Sequence, residues 1–203
     1  RRGPEAGGAL ARRNALENAA TNIFSVFSAI RDERGLRYFD PRDVVAFAIP
    51  VSSDGWFVAP LDRMPASNTV WYMPGAQGEY TTSTDLLIDP VRLLAYFRVG
   101  DMSVLQGLSR PFQNATEPAV GDLAYLLFQN NIEEGVVRDV FLANEMHFTT
   151  GPVARFGLDS VPLAVGFIVN KDGHLIGIRL SDGTIFLAAD LQRVLSSIFL
   201  KKR

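Results

Sequence analysis

Residues 161–180 read Val161-Pro162-Leu163-Ala164-Val165-Gly166-Phe167-Ile168-Val169-Asn170-Lys171-Asp172-Gly173-His174-Leu175-Ile176-Gly177-Ile178-Arg179-Leu180. Val165, Phe167 and Val169 alternate on one side of Asp172-Gly173, and Leu175, Ile176 and Ile178 follow on the other. Asp-Gly between β-rich arms predicts a hairpin, because the turn needs residues that tolerate positive φ. The same shape recurs upstream: Val51-Ser52-Ser53-Asp54-Gly55-Trp56-Phe57-Val58 matches Val169-Asn170-Lys171-Asp172-Gly173-His174-Leu175-Ile176 in its spacing. Two similar hairpins far apart in one chain predict two similar lobes.

Composition fits such a body. The chain has 203 residues, 47% hydrophobic, enough to bury a sizeable core. Its formal net charge is -2 and its pI about 5.7. Without a basic excess, nucleic acid is a poor fit as partner. A charged fraction of 21% argues against disorder over most of the chain. With no Cys, disulfides, thiolate metal sites and a Cys nucleophile are excluded, although the compartment stays open. No apolar run reaches the roughly 18 residues of a membrane span. The chain opens Arg1-Arg2-Gly3-Pro4 without Met, which reads as a processed or trimmed piece.

From these residues outward, 1–8 read as a tail and 9–20 as a helix, followed by a strand after Asn22. The helix suits either a partner-docking arm or a lid on its own barrel. Residues 32–43 are expected as a polar loop, 60–74 as irregular and 75–80 as a turn. Leu93-Leu94-Ala95-Tyr96-Phe97 is expected as a buried strand. Residues 100–118, rich in Gly, Ser, Asn and Pro, form the expected lobe boundary. Strands are expected at 120–128 and 135–143, and a loop at 146–160. A third Asp-Gly turn falls at Asp182-Gly183, and a closing helix at 189–200 has Leu191, Val194, Leu195 and Ile198 at helical spacing.

The run Val169-Asn170-Lys171-Asp172-Gly173-His174-Leu175-Ile176-Gly177-Ile178 resembles the second half of G-N-S-G-G-P-L-V-N-x-D-G-x-V-I-G-I, the nucleophile segment of trypsin-like serine proteases of the HtrA kind. Further resemblances lie in Ser53-Asp54-Gly55, in Asp89-Pro90-Val91-Arg92-Leu93-Leu94-Ala95 (family D-P-x-x-D-L-A) and in Val120-Gly121-Asp122 (family V-G-D). The resemblance covers roughly residues 22 to 200. It implies an all-β fold of two six-stranded antiparallel β-barrels, a trypsin-like double barrel with an N-terminal and a C-terminal helix. The implied domains are 1–21 (tail and helix), 22–110 (first barrel lobe) and 111–203 (second barrel lobe with the closing helix).

The chemistry such a fold carries needs a nucleophile, a base, a carboxylate that orients the base, and an oxyanion hole. Carried over residue by residue, the base position is Asp62, the orienting carboxylate is Leu93 and the nucleophile is Ala164. A carboxylate is a far weaker general base at neutral pH than an imidazole. Leucine accepts no proton, and alanine is no nucleophile. Both histidines, His147 and His174, lie in the second half, so no shift of alignment supplies a base to the first lobe. The oxyanion glycines give way to Pro162, which has no N–H, and to Val165, which resists positive φ. Ser160 as a displaced nucleophile would lack a base.

The resemblance therefore implies a catalytically inactive pseudoprotease, kept as a protein-binding or scaffolding subunit. By family alone its place would be periplasmic or otherwise extracytoplasmic, and a membrane-associated complex and an oligomer are both compatible with it. A partner's extended segment would bind at the inter-lobe cleft or a strand edge. The alternative is a hydrolase or metal-binding module using a non-standard site such as Asp62 with Ser160. His147 and His174 with Asp172 or Glu145 are a weak metal set, because a site needs three or four convergent ligands. No phosphate-binding glycine loop occurs and no cofactor is expected. Trp71-Tyr72, in a segment expected to be irregular, is the first choice for an aromatic partner-binding patch. Glu133-Glu134 reads as a solvated turn.

Overall fold

The computed structural model describes residues 4–32, 35–38, 44–65, 69–75, 77–105, 111–128, 131–142, 152–157, 165–181 and 183–200. These form two helices and thirteen strands. The chain divides into two compact units, Thr21–Phe112 and Arg1–Ala20 with Gln113–Arg203.

The first unit holds β1 (Phe24–Asp32), β2 (Gly35–Tyr38), β3 (Val44–Pro50), β4 (Trp56–Pro60), β5 (Thr69–Pro74), β6 (Tyr80–Asp89) and β7 (Leu94–Val99). They pair in the order β2-β1-β3-β4-β7-β6-β5, and a further β1–β5 pairing closes six of them into a ring, with β2 added outside it. Every pairing is antiparallel. The interior alternates small and large residues, as a narrow barrel requires. Ala46, Ala48, Ala59 and Ala95 make room for Phe57, Trp71 and Phe97. The Phe57 and Phe97 rings stack at 5.6 Å, and Trp71 meets Phe97 edge-on at 5.1 Å.

The second unit holds β8 (Leu123–Phe128), β9 (Asn131–Leu142), β10 (Pro152–Gly157), β11 (Gly166–Val169), β12 (Leu175–Arg179) and β13 (Thr184–Leu187), in a closed antiparallel barrel of order β10-β13-β12-β11-β8-β9. Helix α1 (Pro4–Ala20) belongs to this unit, as does α2 (Ala188–Leu200). In α2, Leu191 and Leu195 are buried one turn apart, so the expected amphipathic face packs as its spacing dictates.

Both Asp-Gly hairpins form, with a shared design. Gly55 (φ 94°) and Gly173 (φ 78°) take the left-handed conformation while Asp54 and Asp172 do not, which makes each loop a turn ending in a glycine bulge rather than a two-residue turn. Ser52 and Asn170 occupy the same place in the two loops. The Ser52 hydroxyl accepts the Trp56 N–H at 3.2 Å, and the Asn170 Oδ1 accepts the His174 N–H at 3.0 Å. A side-chain acceptor pre-forms the turn in each case.

The second half of α1 lies on its barrel. Leu16 and Ala19 are buried, and a Cβ at Gly173 would sit 2.8 Å from the Ala15 carbonyl oxygen. Only glycine permits so close an approach. Arg12 donates to the Tyr125 hydroxyl at 3.4 Å. Residues 8–14, Leu10 among them, stay exposed.

Several expectations are corrected. The helix begins at Pro4, inside the expected tail, because proline's fixed φ and missing N–H suit a first helical turn. β2 falls in the expected polar loop, β5 in the expected irregular stretch and β10 in the expected loop at 146–160. In each case pairing with a neighbouring strand overrides weak local preference. Glu133 and Glu134 belong to β9, where they pair with Leu126 and Tyr125, and not to a turn.

Candidate functional site

The positions carried over as base and orienting acid lie just beyond the adjoining ends of two paired strands. β4 and β7 run antiparallel with Pro60 opposite Leu94, and one step on the Leu61 N–H donates to the Leu93 carbonyl at 2.8 Å. Asp62, the next residue, is exposed, whereas Leu93 is half-buried and packs against the first barrel's core. The backbone thus brings the two positions together, but one offers a carboxylate to solvent and the other an aliphatic side chain to the barrel.

Leu93 has φ +52°, alone among the described non-glycine residues in the left-handed region. That conformation is several-fold enriched in Asn and Asp and unfavourable for a branched aliphatic residue. A rigid turn imposes it. The Asp89 Oδ1 accepts the Val91 and Arg92 N–H groups at 3.0 and 3.1 Å, and the Arg92 guanidinium closes back on Asp89 in a half-buried ion pair. Beyond the turn the Tyr96 hydroxyl is buried without a hydrogen-bond partner among the described residues. Burial first, and the Asp89 carboxylate second, push its pKa up from the ordinary phenol value.

Ala164, Pro162, Leu163, Ser160, Glu145 and His147 lie outside the described residues. Val165 is half-buried and leads into β11, where Gly166 is hemmed in: an added Cβ would lie 2.7 Å from the Leu127 carbonyl oxygen and 2.8 Å from Leu126 Cδ1. His174 is half-buried at the end of its hairpin, its N–H held by Asn170. Among the described residues no three His, Cys, Asp or Glu side chains converge as a metal site.

The aromatic patch is corrected outright. Trp71 is 1% and Tyr72 3% exposed, so neither is free to meet a partner. β5 alternates them, Trp71 into the barrel against Phe97 and Tyr72 outward onto Phe27 and Tyr80.

Two charged residues lie inside the second barrel, and the sequence reading gave Arg179 no part. Arg179, 6% exposed, sits opposite Gly166 and Ile185 on β12, and Glu133 pairs with Leu126, a member of the barrel's core. Desolvation lowers the Arg179 pKa, and the Glu133 carboxylate offsets only part of that. The signal was in the alternation Gly177, Ile178, Arg179, which puts the arginine on the face that Gly177 shares with Leu187.

No family model and no curated protein matches this sequence. Solved structures do. An HtrA-type protease AlgW with a decapeptide superposes with a TM-score of 0.63 at 17% identity, over 93% of this chain and 67% of that one. AlgW with a tripeptide gives 0.60 at 16% identity, over 92% and 63%. A crystal structure of Deg5 gives 0.62 at 14% identity, over 94% and 93%. This chain has the trypsin-like double-barrel fold of HtrA-type proteases, and it spans about two thirds of the AlgW chains' length. No helix among the described residues is long and apolar enough to cross a membrane.

Proposed function

We propose that the protein is a catalytically inactive trypsin-like domain, a pseudoprotease that binds an extended segment of a protein partner in an extracytoplasmic or membrane-associated assembly. The observation that carries the reading is the corner at Asp62 and Leu93. The β4–β7 register and the Leu61–Leu93 hydrogen bond hold its backbone, and its two carried-over positions offer an exposed aspartate and a leucine. The left-handed backbone at Leu93, suited to Asp or Asn and occupied by Leu, supports loss of a former polar residue. Ala164 at the nucleophile position and Pro162 in the oxyanion segment support the same conclusion from sequence.

Peptide as the ligand class is supported by the two AlgW structures, which carry a decapeptide and a tripeptide. Strand addition has a place to occur: β2 pairs only with β1 among the described strands, and its other edge offers backbone donors and acceptors. The extracytoplasmic placement rests on the fold resemblance.

The test is labelling of the purified chain with a fluorophosphonate serine-hydrolase probe beside an active HtrA-type protease. No covalent label is expected on this chain under conditions that saturate the control. Stoichiometric labelling would overturn the reading, and mapping it to Ser160 would establish the displaced-nucleophile alternative.

A further inference from the structure

We infer that Asn114 is an N-linked glycosylation site, an inference that rests on the extracytoplasmic placement above. Asn114-Ala115-Thr116 is the sole Asn-x-Ser/Thr triplet in the chain, and its middle residue is not proline. The structure adds what the triplet alone lacks. The segment is extended and anchored: the Ala115 N–H donates to the Leu175 carbonyl at 2.8 Å, and the Leu175 N–H donates to the Gln113 carbonyl at 2.8 Å. Residues 113 and 115 therefore supply the backbone groups that face β12. Ala115 packs against the second barrel's core. In an extended chain successive side chains alternate, so residues 114 and 116 share the face opposite Ala115. Both Asn114 and Thr116 are exposed.

That arrangement presents the amide and the hydroxyl together, on a segment whose backbone is already paired. In the reaction the Asn114 amide nitrogen attacks the anomeric carbon of an oligosaccharide carried on a lipid diphosphate. The new C–N bond replaces the C–O bond to the diphosphate. The lipid diphosphate leaves with the electron pair, and the amide proton passes to a base of the transferase.

The experiment uses the full-length protein purified from its native source, with its subcellular fraction recorded on the same sample. Mass spectrometry of the proteolytic peptide containing Asn114 is expected to show a hexose-containing adduct on that residue in most copies. Asn114→Gln and Thr116→Ala should each abolish it, and Thr116→Ser should retain it. An unmodified peptide overturns the inference wherever the protein is found, as does an adduct that survives Thr116→Ala, which would be non-enzymatic. Fractionation reports separately on the placement: an unmodified protein outside the cytoplasm sinks the glycan and leaves the pseudoprotease reading standing.

Discussion

Replacing Trp71 by alanine is expected to lower the stability of the chain by about 3–5 kcal/mol, the range for truncating a fully buried large aromatic residue. Trp71 is 1% exposed and lies edge-on to Phe97, which in turn stacks on Phe57, so one truncation leaves the central aromatic group without its wall. The flanking core residues Ala46, Ala48 and Ala95 have no length with which to collapse into the space. A typical domain is stable by about 5–15 kcal/mol, so the variant should unfold at a much lower urea concentration. Far-UV circular dichroism through a urea series reads this directly. A midpoint unchanged from the parent protein would mean that Trp71 does not fill the first barrel and would return it to consideration as a surface residue.

In the second barrel, Gly177→Ala should cost about 3 kcal/mol, at the upper end of overpacking penalties. A Cβ there would collide with the Phe186 carbonyl oxygen and lie 2.6 Å from Ile185 Cγ2. The oxygen belongs to the neighbouring strand's backbone, so relief requires β12 and β13 to separate where Gly177 pairs with Leu187. Loss of amide protection confined to β12 and β13, measured by hydrogen exchange, is the expected signature. A variant as protected as the parent would show that the two strands have slack that the geometry denies them.

Much of the architecture was legible because it is written in short-range signals. Asp54-Gly55 and Asp172-Gly173 mark their hairpins through a conformation glycine alone adopts cheaply, and α2 shows its apolar face by spacing. What stayed illegible depends on partners distant in sequence. β5 is a strand because β1 pairs with it, a fact no local window contains. Trp71 and Tyr72 looked like a surface pair for the same reason. Of the proposed site, the residue types at Asp62 and Leu93 were legible. The left-handed backbone under Leu93 was not, because a leucine gives no hint of that conformation. Arg179 was overlooked because a charged residue is assumed to face water, although its place in the alternation put it inside.

Closure of the second barrel bears on how the protein ages in solution. A ring whose six strands are each paired on both sides has no open row of backbone groups on which another copy could grow. Ordered aggregation through that half of the chain must wait for the ring to break. Its rate is then governed by the unfolding barrier and grows weakly with concentration, in contrast to a sheet whose free rim lets every collision count.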